Sequence, residues 1–151
     1  MPATHSNKHF KHTKQEFLMK LYIDTNIFLD YLLDRKNLLN NDISSPAQKL
    51  FHRAINCEFF IIFSDHTAKE VYNQINIEKT FFLFEVLKKK LVTIRQTKED
   101  QEEARKIDSN NYDDALHFVL AKKSGADFII TRNIKHFSKF DSLKAKLPEN
   151  I

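Results

Sequence analysis

At four places, far apart in the chain, an apolar run adjoins an acid or another polar group. These places are residues 21–26, 64–70, 112–117 and 129–133. An alternating fold of strands and helices brings such junctions together at the carboxyl edge of its sheet. Carboxylate oxygens gathered at one edge suit a hard divalent cation. If the four segments converge, the pattern predicts a metal-dependent enzyme whose substrates are phosphates.

The composition is that of a one-domain globular protein. The chain has 151 residues, of which 42% are hydrophobic and 29% are charged, so it can bury a sizeable core. Its single cysteine, Cys57, excludes an internal disulfide and a cysteine-based zinc cluster, which fits a reducing compartment. No uncharged apolar run is long enough to span a bilayer, and the N-terminus lacks a signal peptide. We therefore expect a cytoplasmic protein without a membrane segment.

Charge and glycine content limit the classes of function. The net charge of +4 is only weak support for nucleic-acid binding, because a nearly neutral domain can still carry a basic face. The only glycine is Gly125, which leaves no room for a glycine-rich phosphate loop of either the dinucleotide or the nucleoside-triphosphate kind.

Short apolar strands alternate with helices along the chain. We predict strands at 20–24, 58–63, 91–95 and 127–131 and an edge strand at 143–147. We predict helices at 25–33, 45–56, 65–76, 98–108 and 113–123, and a Phe-rich helix that ends at the lysines 88–90. Ser45 should cap the second helix with Pro46 at its first position, and Gly125 should end the helix before it. The alternation predicts an α/β fold, with a parallel sheet and helices on both faces. Residues 1–18 should form a polar, flexible leader, and residues 19–151 a single domain.

Two of the candidate acids have structural alternatives. Asp24 ends a buried strand, where a carboxylate is costly unless it is paired or bound to a cation. It could equally cap the helix that follows. Glu70 completes a capping box with Thr67, but Ser64 or Asp65 could supply the cap and leave Glu70 to bind a ligand.

The remaining polar groups are also ambiguous. Asp113 and Asp114 suit the positive end of a helix dipole, and adjacent helical residues point about 100° apart, so we favour Asp114 alone as a ligand. Thr131 and Asn133 could position a water molecule or cap a turn. We interpret the histidines at 117 and 136 as packed or surface residues. The ligand set is then oxygen only, which suits Mg²⁺ or Mn²⁺ rather than zinc.

Taken in order, these motifs resemble the PIN domain family over roughly residues 19–147. The resemblance is carried by Asp24-Thr25-Asn26, Glu70, Asp114-Ala115-Leu116-His117, and Thr131-Arg132-Asn133 followed by Lys135-His136-Phe137. Each motif is weak alone, whereas the ordered set is specific.

The resemblance implies a three-layer α/β/α sandwich with a parallel sheet of four or five strands. It also implies an endoribonuclease that depends on Mg²⁺ or Mn²⁺. Many small prokaryotic members resemble VapC toxins, which cut RNA, form homodimers and are silenced by a cognate antitoxin. By that resemblance the catalytic metal ligands are Asp24, Glu70 and Asp114, the residues that shape their surroundings are Thr25, Asn26, Thr131 and Asn133, and a weaker contact to RNA is expected from Arg132.

One residue departs from the family pattern and keeps an alternative open. Many members have a fourth acid where this chain has Asn133, so occupancy by two metal ions is in doubt. An incomplete acid set would also fit a non-catalytic PIN-fold module that binds RNA or acts as an adaptor. A related phosphatase would need a second Asp at the position of Asn26, which disfavours that class.

Overall fold

The computed structural model describes residues 18–36, 38–140 and 142–151. The predicted leader, residues 1–18, lies outside the described residues except for Leu18. The described elements, in chain order, are β1 Met19–Ile23, α1 Thr25–Leu32, α2 Ser44–Ile55, β2 Phe59–Ser64, α3 Asp65–Tyr72, α4 Ile77–Leu87, β3 Leu91–Ile94, α5 Lys98–Ile107, α6 Tyr112–Lys123, β4 Phe128–Ile130, α7 Ile134–Phe137 and β5 Lys144–Lys146. Short 3₁₀ helices follow α4 at Lys88–Lys90 and β5 at Pro148–Asn150.

The five strands form one parallel sheet in the order β3-β2-β1-β4-β5. β1 lies at the centre, where Tyr22 pairs with Ile62 of β2 and Ile23 pairs with Ile130 of β4. Because all strands run the same way, their carboxyl ends meet at one edge. The sheet confirms the predicted α/β class and the predicted edge strand β5.

Helices cover both faces of the sheet, so the molecule is an α/β/α sandwich. Leu21 and Ile23 of β1 pack with Phe28 of α1 and Leu50 of α2 in one core cluster. Tyr22 points to the other face and packs in a second cluster with residues of α5 and α6. This alternation follows from the two-residue repeat of a strand, and a strand buried on both faces reads as a continuous apolar run.

The start of α2 differs from the predicted one. The Asp42 carboxylate, not Ser45, accepts the free N–H groups: its Oδ1 lies 2.9 Å from the Ser44 nitrogen and 3.3 Å from the Ser45 nitrogen. The helix therefore begins at Ser44, and Pro46 is its third residue rather than its first. Proline is still tolerated there, because the first turn has no internal acceptor for its missing N–H.

Other boundaries need smaller corrections. The single helix predicted over 65–76 ends at Tyr72, and Asn76 instead begins α4 by accepting a hydrogen bond from the Glu78 N–H at 3.1 Å. Gly125 has φ +71° after α6, which confirms the predicted helix end. No helix in the described parts of the chain is long and apolar enough to cross a membrane.

Candidate metal centre

Asp24 and Thr131 meet at the carboxyl edge of the sheet. Asp24 directly follows β1 and Thr131 directly follows β4, and the register of these two strands places them side by side. The Thr131 hydroxyl donates to Asp24 Oδ2 at 2.8 Å. Asp24 is 3% exposed and its side chain makes no cap hydrogen bond to α1. Its carboxylate is therefore free of the capping role that the sequence left open.

Glu70 is likewise free of a capping role. Ser64 caps α3, because its hydroxyl accepts a hydrogen bond from the Thr67 N–H at 3.0 Å. Glu70 projects from the second turn of α3, with Oε1 2.7 Å from His66 Nε2 and 3.3 Å from His117 Nε2. Its side chain is 28% exposed, so the carboxylate remains accessible from solvent. Asp65, a weaker candidate, instead accepts a hydrogen bond from the Gln96 N–H at 3.1 Å.

The ring of His117, in α6, lies between the two carboxylates. Its Nε2 is 3.3 Å from Glu70 Oε1, 3.8 Å from Asp24 Oδ1 and 3.4 Å from Thr25 Oγ1. The other ring nitrogen, Nδ1, lies 2.7 Å from the hydroxyl of Tyr22. His117 is buried, as its interpretation as a packed residue requires, but it is packed among the predicted ligands.

Asp113 and Asp114, adjacent at the start of α6, point in different directions. Asp114 Oδ2 lies 2.8 Å from His136 Nδ1, and its charge acts on the Asp24 carboxyl. Asp113 Oδ1 instead lies 3.3 Å from His66 Nε2, and its side chain is 72% exposed. The divergence agrees with the helical geometry used in the sequence analysis.

Of the residues expected around the ligands, Asn26 and Asn133 lie apart from the carboxylates. Asn26 Oδ1 accepts a hydrogen bond from Arg35 at 3.4 Å, which ties it to the loop after α1. Asn133 is exposed at the start of α7, and its backbone N–H donates to Thr131 Oγ1 at 3.0 Å. Thr25 and Thr131 are therefore the two of this set whose side chains contact the cluster.

Arg132 is engaged in the body of the protein. Its Nε donates to Asp30 Oδ2 at 2.5 Å, and its Nη2 donates to the Ile43 carbonyl at 2.8 Å. Burial raises the pKa of Asp30, although Arg132 acts to lower it. The guanidinium thus joins α1 to the loop before α2, and this placement gives no support to the expected contact with RNA.

The site is electrostatically coupled. Burial raises the pKa of Asp24 despite the nearby His117. Burial also acts to raise the pKa of Glu70, but hydrogen bonds from His117 and His66 outweigh it and hold that pKa well below its ordinary value. Burial acts to lower the pKa of His117, yet Tyr22, Glu70 and Asp24 together raise it well above 6.5. The cluster therefore places a cationic imidazole against two acids.

The sequence analysis missed the roles of His66 and His117. Their positions carried a signal: His66 precedes Glu70 by four residues and His117 follows Asp114 by three, so each shares a helix face with a predicted ligand. Ligand atoms of His66, Glu70 and His117 all lie within 4.8 Å of one another. Two of them, His66 Nε2 and Glu70 Oε1, are buried without a well-aligned hydrogen bond. Unsatisfied buried donor atoms that face one another fit a cation between them.

Comparisons with known proteins agree with this architecture. A profile described as PIN domain matches residues 20–135. A search among curated proteins gave no match.

Three solved structures show the same fold. VapBC2 from Rickettsia felis, bound to a DNA fragment from its promoter, has a TM-score of 0.60 and 15% identity, covering 85% of this chain and 98% of the other. VapC20 from Mycobacterium tuberculosis, a toxin that cleaves the sarcin-ricin loop, has a TM-score of 0.57 and 14% identity over 80% and 95%. VapBC-1 from nontypeable Haemophilus influenzae has a TM-score of 0.57 and 17% identity over 86% and 98%. Since the family profile spans most of the sequence, the chain belongs to the PIN domain family.

Proposed function

We propose that this chain is a metal-dependent endoribonuclease that hydrolyses phosphodiester bonds of RNA. The observation that carries the proposal is the approach of Asp24 and Glu70 to a single atom, His117 Nε2, at 3.8 Å and 3.3 Å. Asp114 joins them through its effect on the Asp24 carboxyl. The three acids come from distant segments and meet at the carboxyl edge of the sheet, where parallel α/β folds bind their ligands.

The proposed roles follow from these contacts. Asp24, Glu70 and Asp114 would hold Mg²⁺ or Mn²⁺, which when bound activates water and neutralises charge on a phosphate. The Thr131 hydroxyl orients Asp24 through its 2.8 Å hydrogen bond. Thr25 lies 3.4 Å from His117 Nε2 and adds a hydroxyl to the same surface. Unpaired acids in so small a volume repel one another, so the arrangement favours a bound cation.

The test is cleavage of a labelled RNA by the wild-type chain and by Asp24→Asn, with Mg²⁺ or Mn²⁺ and with a chelator. We expect cleavage that needs the cation and that falls by more than about tenfold in the variant, since loss of even an outer partner of a metal site costs that much. Asp127→Asn is the matched control. Asp127 accepts a hydrogen bond from the Lys20 N–H at the amino end of β4, away from the site. Equal activity of Asp24→Asn and wild type would refute the mechanism.

A protein partner is part of the proposal. Two of the structural neighbours are VapBC assemblies, and we propose that this chain is likewise a cytoplasmic toxin silenced by an antitoxin. Support comes from the exposed apolar face of α4, where Ile77, Phe81 and Phe82 are 68%, 64% and 69% exposed. Beside it, a groove of about 350 Å³ lies between α2 and α4. Such patches are typical of protein interfaces.

Two assays separate the partners expected for this face. Co-expression with a small neighbouring open reading frame should yield a complex that no longer cleaves RNA, and Phe82→Ser should weaken it. Sedimentation of the chain alone tests the expected homodimer, because a second copy on the same face would be displaced by the antitoxin.

The non-catalytic alternative has one observation in its favour. His66 and His117 lie 2.7 Å and 3.3 Å from Glu70 Oε1, so positive charge can reach this acid without a metal. A PIN-fold module that binds RNA without cutting it would then need no cation. Calorimetric titration with Mn²⁺ separates the two, because the nuclease must bind the ion and the adaptor need not.

A further inference from the structure

Two imidazole groups face Glu70 at the edge of the proposed nuclease site. His66 and Glu70 come from successive turns of α3, and His117 comes from α6. Glu70 Oε1 is the common point, 2.7 Å from His66 Nε2 and 3.3 Å from His117 Nε2. The oxygen ligands expected from the sequence therefore have two nitrogen donors beside them.

The spacing of these donors matches a first-row transition metal. Tetrahedral zinc with bonds to nitrogen and oxygen near 2.0–2.2 Å separates its ligand atoms by about 3.3 Å. The three donors of His66, Glu70 and His117 lie within 4.8 Å of one another, so small side-chain rotations suffice to reach that distance. Imidazole is a ligand preferred by zinc, copper, nickel and iron, whereas magnesium prefers oxygen.

The surroundings prepare the donors for a metal. His66 is 7% exposed, and its buried Nε2 lacks a well-aligned hydrogen bond, as does Glu70 Oε1. The Tyr22 hydroxyl contacts His117 Nδ1 at 2.7 Å, which leaves Nε2 as the nitrogen that faces Glu70. Metal-binding histidines ordinarily have such a partner on the second ring nitrogen. Asp113, 72% exposed and 3.3 Å from His66 Nε2, keeps one side of the cluster open to solvent.

We propose that His66 Nε2, His117 Nε2 and Glu70 Oε1 form a site for a transition-metal ion, with Zn²⁺ as its strongest ligand among the ions tested. The inference deepens the proposed function, because it shares Glu70 with the nuclease site and names the class of cation that the site selects. A site made of carboxylates alone would bind Mg²⁺ and Zn²⁺ far more evenly.

The experiment is calorimetric titration of the full-length chain with ZnCl₂, MnCl₂ and MgCl₂. His5, His9 and His12 are replaced by Gln in every sample, so that histidines outside the described residues do not contribute. We expect Zn²⁺ to bind at least about a hundredfold more tightly than Mg²⁺. His66→Gln and His117→Gln should each weaken Zn²⁺ binding by about tenfold or more. The matched control is His52→Gln, an exposed histidine of α2, which should change nothing.

A spectroscopic measurement makes the test independent of any variant. Co²⁺ bound by two imidazoles and a carboxylate in four-coordinate geometry should give intense visible absorption, which excess Zn²⁺ removes. Circular dichroism checks that each variant folds. Equal affinities for Zn²⁺ and Mg²⁺, unaltered Zn²⁺ binding in His66→Gln, or a weak octahedral Co²⁺ spectrum would overturn the proposal.

The outcomes also separate this site from the nuclease. If RNA is cleaved with Mg²⁺ and cleavage requires Asp24, while Zn²⁺ binding ignores His66, the nuclease stands and the transition-metal site fails. If Zn²⁺ binding depends on both histidines but no metal supports RNA cleavage, the site stands and the proposed function fails.

Discussion

Tyr22 and His117, 95 residues apart, contact each other in the interior, with the Tyr22 hydroxyl 2.7 Å from His117 Nδ1. The same hydroxyl lies 2.9 Å from the hydroxyl of Ser64, which caps α3. One phenol at the centre of the sheet therefore links the helix that carries Glu70 with the imidazole that faces it. The position of the ring depends on this contact, because a buried imidazole needs a partner on each nitrogen.

We predict that Tyr22→Phe weakens both stability and metal binding. The ring volume is retained, but His117 Nδ1 and the Ser64 hydroxyl each lose a buried partner, which should lower the free energy of unfolding by about 1–3 kcal/mol. Zn²⁺ affinity should fall about 10- to 100-fold, as for other partners of metal-binding histidines. Urea unfolding and calorimetry measure the two effects. Tyr31→Phe serves as the control, and equal behaviour of both variants would contradict the prediction.

Arg132→Met tests whether the guanidinium is structural. Asp30 is 1% exposed, and the substitution leaves its carboxylate without the partner at 2.5 Å. We expect the free energy of unfolding to fall by about 3 kcal/mol, the lower end of the cost of breaking a buried ion pair. RNA cleavage per folded molecule should remain as in wild type. Chemical denaturation and the cleavage assay provide the measurements.

Two further variants sharpen that test. Asp30→Asn combined with Arg132→Met should recover part of the lost stability, because the uncompensated charge is gone. Arg95→Met, at an exposed arginine, should change stability by no more than about 0.5 kcal/mol. If Arg132 contacts RNA instead, cleavage falls while stability is retained.

The edge position of Asp24 and Thr131 could be predicted from the sequence. Each follows a short apolar run, and such runs joined by helices form parallel strands whose carboxyl ends meet. The ligand side of His117 could not be predicted, because it depends on which face of α6 packs on β1 and on a contact with Tyr22 across 95 residues. Periodicity places a residue on a helix face but does not say what that face meets.

The start of α2 shows a different limit. Asp42 and Ser45 are both good caps, and only the loop before the helix decides between them. That loop includes Asp34 and Asn40 with positive φ angles of 49° and 64°, and Lys36 pairs with Asp42 in an isolated bridge. These contacts place Asp42 against the first N–H groups. Local sequence preference cannot reveal such an arrangement, since it is set by the path of the whole loop.

Asp108 should make stability depend on pH. A hydrogen bond with Lys139, followed by those from Asn111, holds the pKa of Asp108 below its ordinary value of 3.8. A carboxyl whose folded-state pKa is depressed stabilises the fold above its unfolded pKa, and the effect is lost as pH falls towards the folded-state pKa. Asp108→Asn should therefore be less stable than wild type at neutral pH, with a difference that shrinks below pH 3.8. Urea unfolding across this range is the measurement, and Glu103→Gln, at an exposed acid of α5, should show no such trend.

Thr131→Val isolates the hydroxyl that orients Asp24. Its Oγ1 donates to Asp24 Oδ2 at 2.8 Å and accepts from the Asn133 N–H at 3.0 Å, so valine keeps the shape but leaves two groups without this partner. We expect the free energy of unfolding to fall by about 1–3 kcal/mol, and metal-dependent cleavage of RNA to fall with it, because the carboxylate is no longer held in one rotamer. Thr131→Ser retains the hydroxyl and should restore cleavage, although loss of the methyl group costs about 0.8 kcal/mol of stability. A valine variant that is destabilised yet cleaves RNA like wild type would mean that Asp24 is oriented without Thr131.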